Sequence, residues 1–329
     1  MMSNTSMNQA CKVAVGTIIK GKWHRNSYKI LKILGYGANG VVYLTEGNTG
    51  LAALKLSDNS MSVTSEVNVL KHFSKAQGSS IGPSLIDVDD WNRTGNEKML
   101  SFYAMEYIKG DLLLDFFRKK GPEWVPVMIM QLLKNLSSLH ASGWVFGDLK
   151  PENLIVSGPP PKIRCIDVGG TTQTGRAIKE FTEFFDRGYW GLGTRKAEPS
   201  YDLFAVAMIV INAAYPKRFV KKEDGKNQLW EAIDQDPFLK KYEKVLKSAL
   251  LGKYESADTM KKDFIITNEP SRQRKSTPVR RASPVGNMAG KTRVSIKKKK
   301  KKSSGFVETL AILASVFILY SLYVYYYLL

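Results

Sequence analysis

The spacing of apolar residues changes character along the chain. Between Tyr28 and Leu56 they come in short runs. Val41, Val42 and Tyr43 follow a glycine-rich turn, and Ala52 to Leu56 follow a second turn at Gly47 to Gly50, a pattern that predicts strands. From Val63 to Phe73 the spacing becomes three and four, with Val63, Val67 and Leu70 on one face of a predicted helix. Leu85 to Val88 and Met99 to Tyr107 read as strands around a polar turn at Asn92 to Asn96. Helices follow: Trp124 to His140 with one apolar face, Leu203 to Ala214 almost wholly apolar and hence buried, then Phe238 to Leu251 and Ala257 to Phe264. Strands first and helices after predict an α+β domain of two lobes, one small and β-rich, one mostly helical. Its expected span is residues 25–264, after a lead-in over 1–24. Residues 265–304, rich in Ser, Thr, Pro, Gly and Lys, cannot bury a core and are expected to be a disordered linker.

The last segment has another pattern. Thr309 to Leu329 is 21 residues without a charge. As a helix it would span about 31 Å, enough for a bilayer core. This predicts a transmembrane helix over 305–329. The basic run Lys297 to Lys302 before it would hold the main domain on the cytoplasmic side of the cell membrane. Tyr323, Tyr325, Tyr326 and Tyr327 crowd the far end, where amphipathic rings favour the opposite interface. The expected anchor is a single span at the end of the chain with no external sensor beyond it. Ala311 and Ser315, four apart, hint at packing of two such helices and thus at a homodimer.

Charge sharpens this division. The formal net charge is +19, but residues 1–264 hold 36 Lys/Arg against 28 Asp/Glu, whereas 265–304 hold 13 Lys/Arg and the single acid Glu269. The basic character therefore belongs to the linker, and 272–302 is a candidate site for a polyanion, either DNA or anionic lipid. Arg280-Arg281-Ala282-Ser283 and the Thr277-Pro278 and Ser283-Pro284 pairs within it read as phosphoacceptor sites, where added phosphate would weaken polyanion binding. Two distant cysteines, Cys11 and Cys165, match no metal spacing and point to a reduced compartment. A hydrophobic content of 43% excludes wholesale disorder.

Candidate chemistry lies in the two-lobed part. Gly35-Tyr36-Gly37-Ala38-Asn39-Gly40 sits between two strands, where glycines let backbone N–H groups approach phosphate oxygens. Lys55 ends the following apolar strand and Glu66 lies on the next helix. Asp148-Leu149-Lys150-Pro151-Glu152-Asn153 follows the long helix, and Asp167-Val168-Gly169 ends a short apolar run. Two aspartates and an asparagine supply a base and hard oxygen ligands, as Mg²⁺-dependent phosphoryl transfer requires.

In this order and spacing the pieces resemble the Hanks-type serine/threonine protein kinases over roughly residues 25–264. The resemblance implies a two-lobed protein-kinase-like fold, ATP and Mg²⁺ as cofactors, and Ser/Thr hydroxyls of proteins as acceptors. Carried over residue by residue, Gly35, Gly37 and Gly40 would cover the ATP phosphates, and Lys55 would hold them while paired to Glu66. Asp148 would orient the acceptor hydroxyl, Lys150 would neutralise the transferring group, and Asn153 and Asp167 would hold Mg²⁺. Backbone groups of Glu106 and Ile108 would meet adenine, with Val42, Ala53 and Ile155 enclosing the ring. Asp202, ahead of the buried helix, would brace the catalytic loop. The layout of kinase domain, basic linker and terminal helix resembles the short single-pass kinases of spore-forming Bacillus-type bacteria, which implies a link to sporulation or DNA-associated proteins.

The sequence also departs from the pattern. The usual His-Arg-Asp reads Phe146-Gly147-Asp148, so the arginine that pairs with a phosphorylated activation loop is absent. Loop phosphorylation is accordingly expected not to be obligatory, with Thr171, Thr172, Thr174 and Thr182 as available sites. Val168 stands where the family has Phe, and Phe146 is expected to fill part of that volume, with Leu70 and Val88 as neighbouring layers. No Ala-Pro-Glu run is recognisable between Arg187 and Ala197. Alternatives that share the motifs are a pseudokinase scaffold, a small-molecule kinase of the aminoglycoside or choline type, and a membrane-tethered DNA binder.

Overall fold

Six antiparallel strands, β1 (Ile18–Lys20), β2 (Ser27–Gly37), β3 (Gly40–Gly47), β4 (Gly50–Ser57), β5 (Leu85–Asn92) and β6 (Met99–Glu106), lie in the order β1-β2-β3-β4-β6-β5. The computed structural model describes residues 10–37, 40–75, 81–93 and 99–268. All of these fall in one compact unit within Met1–Arg272. The linker expected over 265–304 starts later than that, since a helix runs on to Asn268; its remainder from 269 and the expected membrane helix lie outside the described residues, as does most of the turn at Asn92 to Asn96. No helix among the described residues is long and apolar enough to cross a membrane.

The central strand β4 explains the sheet. Its side chains alternate between faces. Ala52, Leu54 and Leu56 join Ile30, Val41, Tyr43 and Phe102 in one apolar cluster, while Ala53 belongs to the other core. Both faces are covered, so the strand reads as an unbroken apolar run. The first cluster also takes in Cys11 and Ile19. The sheet therefore reaches back through β1 into the segment expected to be a lead-in. Tyr43 fixes that segment, since its hydroxyl donates to the Cys11 carbonyl at 2.8 Å and accepts from Val13 N–H at 2.9 Å.

Helix α1 (Ser60–Lys75) packs on the other face of the sheet, with Val63, Val67, Leu70 and Phe73 buried as the spacing predicted. The second lobe is helical: α2 (Leu113–Lys120), α3 (Trp124–Ala141), α4 (Pro199–Ala214), α5 (Gly225–Gln235), α6 (Pro237–Lys241), α7 (Glu243–Leu250) and α8 (Ala257–Asn268). Helix α4 is its axis, buried all round from Tyr201 to Asn212. Pro199 opens it at the first helical position, where no N–H is required.

Three expectations need correction here. Helix α4 begins earlier than Leu203, so Asp202 lies within its first turn rather than ahead of it. The single helix expected over Phe238 to Leu251 is two, broken at Tyr242. There the Tyr242 ring stacks on Phe264 with centroids 4.9 Å apart, and its hydroxyl donates to Asn268. Tertiary packing, invisible to periodicity, sets the break. The second lobe also holds strands the pattern did not show. These are β7 (Gly110–Leu112), β9 (Leu154–Ser157) and β10 (Lys162–Cys165) in one small sheet, and β8 (Trp144–Val145) with β11 (Thr172–Gln173) in another.

Candidate active site

A cleft of about 860 Å³ lies between the large sheet and the helical lobe. Gly35, Gly37, Val42, Ala53 and Lys55 form its roof, and Met105 to Ile108 its back. Asp148, Lys150, Asn153, Ile155 and Asp167 form its floor, and Lys179 to Thr182 close one side. All the expected site residues line this cleft except Gly40 and Glu66, the latter expected only to pair with Lys55. Gly40 starts β3 with φ +154°, and a Cβ there would strike the Leu56 carbonyl, so glycine is needed for backbone packing.

Glu66 stands behind the wall and holds Lys55. The register of β4 on β6 puts Lys55 opposite Tyr103. The Glu66 carboxylate accepts from Lys55 Nζ at 2.6 Å, Tyr103 OH at 2.6 Å and Ser62 Oγ at 3.0 Å. Burial opposes the charge on Lys55, but Glu66 and Asp167 outweigh it and raise its pKa. The lysine therefore keeps its proton in the cleft. Tyr103 was not foreseen, because its role follows from strand register rather than from any motif.

The floor is built on the turn after β8. Asp202, fully buried, accepts from the backbone N–H of Phe146 at 2.8 Å and of Gly147 at 2.9 Å, with His140 Nε2 2.8 Å away. This clamp fixes the turn that presents Asp148. Asn153 Nδ2 donates to the Asp148 carbonyl at 2.9 Å, so its amide oxygen is the atom that could meet a metal. Lys150 Nζ donates to Asp148 Oδ2, and Thr182 Oγ1 donates to Asp148 Oδ1 at 2.9 Å while accepting from Lys150 Nζ at 3.1 Å. Thr182 was expected only as a phosphorylation site; its hydroxyl also orients the aspartate. Thr171 and Thr172 are fully buried, so of the four expected sites only Thr174 is exposed.

A further acid enters from the side. A side chain at Gly169 would begin 3.3 Å from Asp167 Oδ1, 3.5 Å from Glu180 Oε2 and 3.8 Å from Glu66 Cδ, so three carboxyl groups converge there. Burial, then Asp167, raises the pKa of Glu180. At the back, Arg164 donates to both oxygens of Glu106, at 3.1 and 2.9 Å, and to the Gly82 carbonyl at 2.7 Å. That pairing, foremost, lowers the Glu106 pKa, and it ties β10 to the end of β6. The Glu106 side chain is thus occupied, and its backbone N–H donates to the Ser84 carbonyl at 2.8 Å. Phe146, Val168 and Leu70 share the main core and Val88 packs against it.

The segment from Asp167 to Glu198 is ordered without an arginine beside Asp148. Phe184, Phe185 and Trp190 are buried, and Trp190 Nε1 donates to the Phe184 carbonyl at 2.9 Å. The buried Asp186 carboxylate accepts from Gly188 N, Tyr189 N, Tyr201 OH and Arg195. Arg187 donates to the carbonyl of Thr194 and the hydroxyl of Ser200. No sequence signal marked these contacts.

The geometry agrees with comparisons to known proteins. Residues 28–276 match the protein kinase domain family. The chain is 55% identical to the serine/threonine-protein kinase YabT of Bacillus subtilis across the whole of both chains. It is 25% identical to the serine/threonine-protein kinase ArnS of Sulfolobus acidocaldarius, covering 63% of this chain and 39% of that one. Among solved structures, vaccinia related kinase 3 superposes with a TM-score of 0.57 at 15% identity, covering 79% of this chain and 93% of the other, a likeness of fold.

Proposed function

This chain belongs to the protein kinases, as a serine/threonine kinase of the YabT type, and on that premise we propose that it transfers the γ-phosphoryl group of Mg-ATP to protein hydroxyls at Asp148. The observation that carries this is the Asp148 carboxylate, held by Lys150 and Thr182 and facing the Lys55–Glu66 pair across one cleft. The cleft is of a size that takes a nucleotide. Asn153 and Asp167 offer hard oxygens in the small number Mg²⁺ uses when phosphates complete its shell. Bound Mg-ATP would supply the phosphoryl group and the charge that neutralises it.

The chain's own groups do the rest. Lys55, kept protonated by Glu66, holds the phosphates. Asp148 accepts the acceptor hydroxyl's hydrogen bond and receives its proton. Lys150 offsets negative charge as it develops between them. The chain's end anchors it in the cytoplasmic membrane with the kinase domain on the cytoplasmic side, and residues 272–302 bind DNA or acidic lipid in a way that tunes activity; their thirteen-cation segment supports this.

Replacing Asp148 by Asn keeps the shape and removes the base, so phosphate transfer from Mg-ATP to a protein acceptor should fall by about 10²–10⁴-fold. Unchanged turnover in the folded variant would sink the assignment. Lys55→Ala should lose activity comparably, with a raised KM for ATP.

A further inference from the structure

The side of the cleft carries positive charge for which the reaction as described has no use. Residues 175–178 pair with 195–197 in a short ladder: Ile178 N donates to the Arg195 carbonyl at 2.9 Å, Ala197 N to the Arg176 carbonyl at 2.7 Å, and Gly175 N to the Ala197 carbonyl at 2.8 Å. The ladder joins the two stretches that carry Arg176, Lys179, Arg195 and Lys196, and these four exposed cations make this edge a basic ridge, with Arg195 and Lys196 turned to opposite faces of the ladder. Lys179 Nζ donates to Ser65 Oγ at 3.2 Å and to the Thr171 carbonyl at 3.4 Å. Lys196 pairs with Glu198 at 3.3 Å. Exposed Glu183 is an opposing acid near Arg195 at the surface.

Arg195 is the best placed of the four. Asp186 fixes its guanidinium at 2.6 Å, yet the side chain remains 45% exposed. It lies 4.0 Å over the ring of Phe181, itself exposed. Phe181 directly precedes Thr182, whose hydroxyl donates to Asp148. An extended peptide advances about 3.5 Å per residue, so a side chain within about three residues of the acceptor hydroxyl reaches the ridge. An arginine held in place yet open to solvent favours a carboxylate through two parallel hydrogen bonds.

We propose that this ridge, centred on Arg195, selects protein substrates that carry an acidic residue within about three positions of the acceptor hydroxyl. The proposal deepens the kinase reading and rests on Asp148 marking the acceptor position. Charge complementarity and continuity with the catalytic cleft assign the ridge to an acidic peptide; a nucleic acid on the same charges is the competing outcome.

The test uses the full chain, Mg-ATP and a neutral serine peptide in which Asp replaces each residue from three before to three after the acceptor. At one or more positions kcat/KM should rise about tenfold, through KM rather than kcat. Arg195→Gln should erase that gain while the neutral peptide is still phosphorylated. Because Arg195 also supports Asp186, the paired variant Arg176→Gln/Lys196→Gln, outside that network, should reduce the gain by itself. Equal kcat/KM for Asp, Asn and Lys peptides overturns the proposal. So does a ridge variant that loses duplex-DNA affinity while its peptide preference is intact. Failure of all peptides, the neutral one included, to be phosphorylated by the unmodified chain would instead count against Asp148 as the acceptor site, and the proposal falls with it.

Discussion

At Gly147 the backbone has φ +84°, and a Cβ would sit 2.5 Å from the Gly170 carbonyl oxygen. The family's arginine at this position therefore has no room here, and its loss is built into the packing of the turn against Gly170. Restoring it as Gly147→Arg should destabilise the fold by about 1–2 kcal/mol from the left-handed conformation alone, with the clash in addition. Thermal unfolding of the variant should show the loss, and a gain in activity would contradict it. A second residue-scale case is His24, whose Nδ1 lies 2.6 Å from Asp87. The hydrogen bond to Asp87, then its charge, raises the His24 pKa from 6.5. A raised folded pKa adds stability that is complete below the unfolded value and is lost as pH rises through the folded one. Asp87 runs the other way. Burial works against its charge, but hydrogen bonds from Asn26, His24 and Tyr28 win and lower its pKa, so its contribution is lost as pH falls through that lowered value. The difference in melting temperature between the unmodified chain and His24→Ala should therefore shrink as pH is raised from about 6 to about 9. A flat difference would refute the pairing.

Among elements, the segment between Asp167 and helix α4 is where sequence and structure part most. Lys55, Glu66, Asp148, Asn153 and Asp167 were legible because phosphoryl transfer dictates their chemical types and the fold dictates their order. Strands β2 to β6 and helices α1, α3 and α4 were legible because one or both faces are buried and the period shows. Helices α2 and α5 were not, each being short; α5 is set by its cap, with Asp224 Oδ1 accepting from Asn227 N at 3.0 Å. Thr182, Asp186, Trp190 and Arg195 escaped as well, since an irregular segment has no period and its contacts are with distant residues. Trp190 tests what holds it. Its ring is buried against Phe184 and Phe219, with centroids 6.0 and 5.9 Å away. Trp190→Ala should cost about 3–5 kcal/mol if the cavity stays open. Phe184 lies two residues beyond Thr182, so the hydrogen bond to Asp148 should loosen and kcat should fall. Hydrogen exchange should rise over 176–198 and not over β2 to β4; uniform acceleration would mean that the segment is not a separate unit. Thr174→Ala, by contrast, should leave activity unchanged, because these contacts order the segment without phosphate.

For the molecule as a whole, the proposed division is between a folded catalytic part and a chain end that places it. Its physics separates two ways of staying at a membrane. Thirteen cations over 265–304 would attract anionic lipid by about 1 kcal/mol per residue near the surface, an attraction screened within a Debye length. A helix over the 21 uncharged residues Thr309 to Leu329 would instead bury apolar area that salt cannot screen. The full chain should therefore sediment with membranes and stay there at about 1 M salt, where the Debye length is about 3 Å. A chain ending at residue 304 should bind vesicles rich in anionic lipid at low salt, release from them at high salt, and ignore neutral vesicles. Both chains should retain kinase activity, since every residue assigned to the cleft lies before residue 183. Release of the full chain by salt would reduce the terminal segment to a surface contact, and salt-resistant binding by the shortened chain would move the anchor elsewhere. If the shortened chain loses activity that vesicles or duplex DNA restore, the basic segment acts on catalysis as well as on location. The effect should then weaken with ionic strength in step with binding, because the same charges carry both.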